Sequence, residues 1–486
     1  MELRTRAIKS TAWYAGIRVC LHAVTWSVGI VLARLLSPAD YGLFAMALAA
    51  IAFFELFQEF GLGTAIVRHQ KLTAGQINAV FWIIFSASVG VTALAFVAAP
   101  AAARVFDEPR LVWMIRALGL TFLLNAVGMV PYNLLTRDID LRRRSLAEAA
   151  GTIVSAGVAI AVAWHGHGVW ALVAGHVARA FVRNTGMLVA CGWFPGSHVS
   201  FDGIRKVLRF GMHVAGSGIV ATLAGVLNRT VIGRFLGGHD LGMWEMAGSL
   251  GRRNPVHKVS TSVINQLSLP VFAKLQSNDD QLRRYFLRIS KYLAVLSLPM
   301  QVGMALVAHD LVELLLTAKW LPMVPLLQAF CIGGILSVLP LPSAPLLTAR
   351  GRADAVFRVA TVSGVVLSAA VLVGVQWGLV GLITAWLLVS PALRAWLLLL
   401  SLREVKLSVG AYLAGIAPAG LAATAMAVVI LGLRLLVASS LGLIERLAFD
   451  VCIGATVYVA TLLLLDRRLG PEMKIIASEL LAPSRA

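Results

Sequence analysis

The chain has 486 residues, of which 59% are hydrophobic and only 13% are charged, and its mean hydropathy is +0.84. Soluble proteins carry about 25% charged residues, so this composition excludes a cytosolic protein, and it is also too apolar for a disordered one. The formal net charge of +19 raises the alternative of nucleic-acid binding, which the placement of the charges has to decide. The four cysteines lie singly in apolar surroundings, so we expect neither a disulfide framework nor a metal site.

The apolar segments of the chain are long enough to cross a bilayer. A spanning helix needs about 20 mainly apolar residues, and the sequence contains fourteen such segments. This predicts an all-α polytopic membrane protein with about fourteen transmembrane helices. The first segment is itself long enough to span, so no cleavable signal is expected. The predicted spans are 11–33, 42–65, 77–99, 112–133, 146–164, 168–190, 211–233, 243–268, 289–308, 322–345, 356–375, 379–400, 410–432 and 447–465.

The basic residues between the spans predict the orientation. Lysine and arginine accumulate on every second connection, beginning with the N-terminal segment. The positive-inside rule therefore predicts cytoplasmic termini and a basic surface that faces anionic lipid rather than nucleic acid. No connection exceeds about 20 residues, and no G-x-x-x-x-G-K-[ST] motif is present. We therefore expect neither a soluble catalytic domain nor ATP hydrolysis.

The sequence repeats itself at an offset of 200 residues. VLARLLSPADYGLFAMA (31–47) aligns with VIGRFLGGHDLGMWEMA (231–247), and both copies keep the pattern R-x-L-x-x-x-D-x-G. Six predicted helices separate the copies, which indicates two six-helix lobes of equal orientation, a parallel repeat found in transporters. We interpret the Asp as a cap of the following helix and the Arg as an interfacial anchor. The predicted segments are an N-terminal lobe (1–192), a C-terminal lobe (193–402), and helices 13 and 14 with a cytoplasmic tail (403–486).

Five phrases spread along the chain carry a resemblance to a known family. They are IVLARLLSPADYGLFAM (30–46), FQEFGLGTAIVR (57–68), SLPVFAKLQSNDDQLRRYFLR (268–288), LVELLLTAKWLPMVPLLQ (311–328) and PLLTARGRADAVFR (345–358). In this order they resemble the bacterial polysaccharide exporters, or lipid-linked oligosaccharide flippases, of the multidrug/oligosaccharidyl-lipid/polysaccharide exporter superfamily.

The resemblance implies a two-lobed, V-shaped fold of the drug-antiporter type. It also implies a function, the translocation of undecaprenyl-diphosphate-linked oligosaccharide repeat units across the bacterial inner membrane for exopolysaccharide or lipopolysaccharide synthesis. The expected partners are this lipid-linked sugar, membrane lipid, and a polymerase with other polysaccharide-assembly proteins. No cofactor is expected.

Ionisable residues inside the spans are the candidate functional residues, because a charge near the bilayer centre costs about 2.5–3.5 kcal/mol. A lipid diphosphate needs cations in a low-dielectric cleft, and arginine binds phosphate oxygens bidentately. Arg179 and Arg183 share one face of the sixth span, whereas helical rotation lets only one of Arg252 and Arg253 point into a cavity. The resemblance favours a further cation in the first span, Arg18. The candidate substrate-binding residues are Arg18, Arg179, Arg183, Arg252, Arg253 and Lys258.

Three glutamates are candidate coupling residues. Glu55 and Glu59 lie one helical turn apart, and two carboxylates on one apolar face do not ionise together easily, so the pair could carry a proton. Glu245 is the third candidate. The alternative, left open here, is that these glutamates pair with the intramembrane arginines as static braces. Three other arginines lie within about two turns of a predicted span end and are interpreted as interfacial anchors: Arg116, Arg229 and Arg394.

Two other functions compete with the flippase. A cation-coupled exporter of small molecules would use the same fold, but helices 13 and 14 and the intramembrane arginines suit an anionic lipid better. A membrane glycosyltransferase or polymerase would present a large or carboxylate-bearing outer loop, whereas the outer loops here are short and hold scattered acids. We therefore predict a transporter rather than an enzyme, which works by alternating access around a cationic central cavity.

Overall fold

The structure, a computed structural model, describes residues 2–58, 66, 72–138, 140–200, 204–252, 268–437 and 442–466. Within these ranges the regular secondary structure is entirely helical, and no strand is present. The all-α fold class predicted from the sequence is therefore confirmed.

Seven helices make up the first half of the described chain. They are α1 (Glu2–Leu35), α2 (Pro38–Glu55), α3 (Ala74–Phe106), α4 (Leu111–Arg137), α5 (Leu141–Trp164), α6 (Trp170–Cys191) and α7 (Ile204–Leu250). The second half contains α8 (Asp279–Leu306), α9 (Ala308–Leu316), α10 (Val324–Val338), α11 (Ser343–Ala349), α12 (Ala353–Gly374), α13 (Gly378–Glu404), α14 (Val409–Val437) and α15 (Leu443–Leu465). A 3-10 helix, Ala318–Met323, precedes α10.

Each of the fourteen predicted spans overlaps a described helix, although most of the eighth (243–268) lies outside the described residues and the second (42–65) extends beyond the end of α2. Within the described ranges, nine continuous stretches are long and apolar enough to cross a membrane. The longest, Ala353–Glu404, contains both α12 and α13. The protein is thus a multi-span membrane protein, as the composition predicted.

Helix α7 contains the seventh predicted span and the first residues of the eighth. It is kinked at Gly237, whose φ of 81° and ψ of 179° are not helical. A side chain at this position would be strained, so the glycine is what allows the chain to turn here without ending the helical element.

The sequence around residue 37 explains where α2 begins. The Ser37 hydroxyl accepts a hydrogen bond from the backbone N–H of Asp40, and the Asp40 carboxylate accepts one from the backbone N–H of Ser37 at 2.9 Å. This reciprocal pair satisfies two amides that a helix start leaves free. The interpretation of Asp40 as a helix cap is confirmed.

Contacts between Cα atoms divide the chain into two compact units. The first consists of Met1–Glu245 with Val371–Leu379, and the second of Met246–Ala370 with Val380–Ala486. In the second unit, the Tyr412 hydroxyl donates to the carbonyl of Leu339 at 3.1 Å, and the Tyr458 hydroxyl donates to that of Val295 at 2.8 Å. These bonds attach α14 and α15 to α10 and α8.

In the first unit, the two copies of the repeated pattern pack directly against each other. A Cβ atom added to Gly42 would lie 1.6 Å from the carbonyl oxygen of Gly238, and one added to Gly242 would lie 1.8 Å from that of Pro38. Residues 38 and 42 correspond to 238 and 242 under the 200-residue offset, so the contact is reciprocal. Only glycine permits so close a backbone approach, which explains why the pattern carries glycine at this position in both copies.

Candidate functional site

The structure describes the side chains of five of the nine predicted site residues. Helix α1 contains Arg18, but the side chain of Arg18 is not among the described parts. Glu59, Arg253 and Lys258 lie outside the described residues.

Helix α6 carries the basic face of the first unit. His176 packs edge-on against Phe44 of α2, with ring centroids 6.0 Å apart. Arg179 follows one turn later and is exposed, and Arg183 follows a turn after that and is half-buried. The predicted alignment of Arg179 and Arg183 on one face of a helix is thus present, with His176 added at its outer end.

Arg183 belongs to a polar network between helices. Its Nη2 donates to Oδ1 of Asn184 at 3.3 Å, and Nδ2 of Asn184 donates to Oδ1 of Asn125 at 2.9 Å. Its Nε is buried and has no hydrogen-bond acceptor within the described residues. A buried donor without a partner is costly, and it is also a donor that a ligand could satisfy.

Two glycines bring this network together. A Cβ atom on Gly128 of α4 would lie 2.2 Å from Oδ1 of Asn184, and one on Gly151 of α5 would lie 2.9 Å from the Cβ of Arg183. Small residues at such crossings let apolar helices approach closely. Gly128 and Gly151, which lie more than 30 positions before Arg183 in the sequence, therefore determine where Arg183 is placed.

Helix α2 ends earlier than the sequence predicted. The predicted span continued to residue 65, but α2 ends at Glu55, and residues 56–58 form a turn. Gln58 is buried there, and its Nε2 donates to the Ser88 hydroxyl and to the carbonyl of Phe122, both at 2.9 Å. These bonds hold the turn against α3 and α4.

This early end changes the environment of Glu55. The prediction placed Glu55 and Glu59 on one face of a continuing helix, and α2 does not continue to residue 59. Glu55 instead lies at a helix C-terminus inside the predicted span, and it is exposed.

Glu245, the third coupling candidate, forms an ion pair. Its Oε1 accepts from Nε of Arg229 at 3.0 Å, and the two side chains are 16% and 30% exposed. This ion pair has the geometry of a static brace between two helical segments. Such a brace is the alternative to a coupling role that the sequence left open. It also gives Arg229 a partner, which an interfacial anchor does not need.

Arg252 lies in the second unit, directly after the end of α7. Its guanidinium lies 5.1 Å from the ring centroid of Phe330, which packs edge-on against Trp386 at 4.9 Å. The carbonyl of the preceding Gly251 accepts from Nε2 of Gln301 at 3.4 Å, and Gln301 is only 1% exposed. A cation over an aromatic face is stabilised by the electrons of the ring.

Arg394 is a candidate that the sequence interpretation missed. The predicted span ended at residue 400, which placed Arg394 near an interface, but α13 extends from Gly378 to Glu404. Arg394 therefore lies about 4.5 Å along the axis from the helix midpoint. It is half-buried, and within the described residues no ion pair or hydrogen bond holds its guanidinium. The interpretation of Arg394 as an interfacial anchor stays a prediction.

A second missed cluster joins α9 to the last two helices. Asp310 accepts from Nη2 of Arg434 at 2.7 Å and also pairs with Arg446, while Asp450 accepts from Nη2 of Arg434 at 2.6 Å. The side chains of Asp310 and Asp450 are only 4% and 3% exposed. Asp310 is one of the acids that the sequence analysis described only as scattered over the outer loops, because its partners lie more than 120 positions away.

Replacing Asp310 with asparagine is expected to destabilise the protein, because it leaves two arginines without their shared counter-charge. Breaking a buried pair in this way lowers the free energy of unfolding by about 3 kcal/mol, and hydration of the partly exposed guanidiniums reduces this loss. The measurement is the thermal unfolding midpoint in detergent. The control is Asp354→Asn, whose pair with Arg358 is 65% exposed on both sides and should matter little. An equal effect of both changes would contradict this role.

Comparison with known proteins places the chain in a family. It is 27% identical over 421 residues to the teichuronic acid biosynthesis protein TuaB of Bacillus subtilis (strain 168), covering 84% of this chain and 85% of that one. It is 23% identical over 397 residues to the lipopolysaccharide biosynthesis protein WzxC of Escherichia coli (strain K12), covering 80% of each. The structure matches that of the lipid II flippase MurJ in an inward closed conformation with a TM-score of 0.73, at 12% identity, over 93% of this chain and 99% of that one. The polysaccharide biosynthesis protein profile matches residues 31–325, so the chain belongs to that family of membrane proteins.

Proposed function

We propose that the protein translocates undecaprenyl-diphosphate-linked oligosaccharide repeat units from the cytoplasmic to the outer leaflet of the bacterial inner membrane. The sugars then serve exopolysaccharide or lipopolysaccharide synthesis. The observation that carries the proposal is the set of arginines within apolar helices, above all Arg394 near the centre of α13. Holding a cation there without a described partner costs free energy, and the binding of an anionic substrate offsets that cost.

The chemistry of the substrate fits these arginines. A diphosphate must leave water to cross the bilayer, and guanidinium groups replace its hydration with paired, charge-assisted hydrogen bonds. Arg183 offers a buried Nε without an acceptor among the described residues, and the guanidinium of Arg252 lies over the ring of Phe330. The polyprenyl tail stays in lipid. The proposed substrate-binding residues are Arg18, Arg179, Arg183, Arg252, Arg253, Lys258 and Arg394.

The contact between the repeat copies supports alternating access. By the positive-inside rule, residues 36–41 and 237–242 lie on the outer side, and the reciprocal glycine contact closes the backbone there. Release to the outer leaflet requires that this contact separate. At this contact glycine meets backbone, and no side chains interdigitate. The two segments can therefore separate and close again without repacking side chains.

Glu55 is the proposed coupling residue. It is an exposed carboxyl at the C-terminus of α2, inside a predicted span, and we propose that uptake and release of a proton there are linked to the movement of α2. Glu59 remains a proposed partner of Glu55. Glu245 has its charge engaged by Arg229 and serves better as a brace.

Deletion of the gene in the native host tests the proposal. We expect surface polymer to be lost while complete, undecaprenyl-diphosphate-linked repeat units accumulate and can be extracted. Accumulation of a truncated glycan would instead identify an assembly enzyme. Unchanged polymer together with sensitivity to cationic drugs would identify the small-molecule exporter.

A further inference from the structure

We propose that a groove between the first turns of α12 and the last turns of α13 binds one anionic glycerophospholipid. The groove has a volume of about 320 Å³ and is bounded at one end by Arg352 and Arg358. This site is separate from the proposed substrate path and does not rest on the proposed function.

The groove has the shape of an acyl-chain site. Ala355 and Val359 form its floor and are 3% and 5% exposed, whereas Phe357 on its edge is 50% exposed. Trp396 and Leu400, one turn apart on α13, form the other wall. The helices run in opposite directions, so the start of α12 and the end of α13 lie at the same depth. The groove thus opens sideways to lipid, where a chain can enter without passing through the protein.

The charges lie where a headgroup phosphate would be. Arg352 immediately precedes α12, and Arg358 is about one and a half turns into it, so both lie at the end of the span and the apolar lining lies deeper. Basic residues dominate this end of α12 and α13, and they attract anionic lipid.

The present partners of the two arginines do not prevent phosphate binding. Arg358 pairs with Asp354 at 2.9 Å across side chains that are 65% exposed, and Arg352 pairs with Glu404 at 3.2 Å. The exposed Arg358–Asp354 pair is weak. Glu404 is only 20% exposed, but it also pairs with Arg350, and each guanidinium has five donors. Both arginines can therefore turn to a phosphate while keeping part of the ion pair.

The occupant is best matched by a glycerophospholipid of the surrounding bilayer. Its single phosphate suits two guanidiniums at one end, and its unbranched chain suits a narrow groove with an alanine floor. Anionic glycerophospholipids are abundant in bacterial membranes, so even a modest affinity keeps the groove occupied by mass action.

Lipid binding to the purified full-length protein tests this. Native mass spectrometry in detergent would compare phosphatidylglycerol with phosphatidylcholine of the same chains. We expect about tenfold tighter binding of phosphatidylglycerol, lost in the variant Arg352→Gln/Arg358→Gln. The control, Arg143→Gln/Arg284→Gln, removes two exposed arginines elsewhere and should keep the preference.

A second variant tests the groove itself. Ala355→Phe fills the floor and should reduce binding of both lipids, and the arginine variant keeps the test valid if Ala355→Phe does not fold. Equal binding of the two lipids by the unchanged protein would overturn the proposal. The same loss in the control variant, or competition only by a polyprenyl phosphate, would overturn it as well.

Discussion

Replacing Arg394 with glutamine is expected to reduce export of the lipid-linked sugar about 100-fold, the largest effect of any single change. Two charge-assisted hydrogen bonds to a phosphate together contribute about 3 kcal/mol, and glutamine cannot restore them. Arg394→Lys keeps the charge but loses the bidentate geometry, so about a tenfold reduction is expected. The measurement is polymer output at matched protein levels in the membrane.

The control for Arg394 is Arg116 of α4. Its Nε donates to the carbonyl of Phe96 at 3.4 Å and its guanidinium lies 5.0 Å from the ring centroid of Trp113, so it is held by the protein near a helix end. Arg116→Gln should keep export within about twofold of the unchanged protein, because it removes only a surface-type contact. A second readout separates function from structure: Arg394→Gln should leave the thermal unfolding midpoint unchanged or raise it. A lower midpoint with proportionally lower export would mean that Arg394 has a structural role.

Linking the two repeat copies is expected to abolish export reversibly. A Cβ atom on Gly238 would lie 3.4 Å from the carbonyl oxygen of Ala39, so cysteines at these positions are close enough for a short thiol cross-linker. The variant Ala39→Cys/Gly238→Cys, in a chain whose four native cysteines are replaced, should lose at least about 90% of export when linked, since the outer closure can no longer open. Reduction should restore it.

Each single-cysteine variant, treated with the same reagent, is the control for the link. Both should export normally, because neither can join the two copies. Export that continues after complete linkage would exclude separation of this contact from the transport cycle.

The spans were predictable because each is a local property of about 20 residues. Hydropathy placed all fourteen so that each overlaps a described helix, and the interpretation of Asp40 as a cap indicated a helix start near it. Hydropathy could not locate the end of α2, because the residues after Glu55 remain apolar enough to continue a helix. The turn after α2 is held by hydrogen bonds from Gln58 to the Ser88 hydroxyl and the Phe122 carbonyl. These partners come close to Gln58 only in the folded protein.

The site was predictable in its chemistry but only partly in its members. Charged residues within spans could be recognised from the sequence, and Arg179 and Arg183 do share a helix face. The predicted span that contains Arg394 stopped four residues before the helix does, so the sequence placed this residue closer to a helix end than the structure does. Whether an arginine has a partner depends on residues far away in the chain, as with Glu245 and Arg229 or Asp310 and Arg434. The boundaries predicted at residues 192 and 402 stay predictions.

The central claim is that this chain moves a lipid-linked oligosaccharide across a bilayer. The most direct measurement places the purified protein in liposomes that hold the native host's undecaprenyl-diphosphate-linked repeat unit, labelled on its sugar, and follows how much label becomes accessible to an enzyme outside the vesicles. The account predicts that label from the inner leaflet appears outside at a rate that depends on Arg394. Label that stays protected at the rate of protein-free liposomes, while a cationic drug is transported, would contradict it.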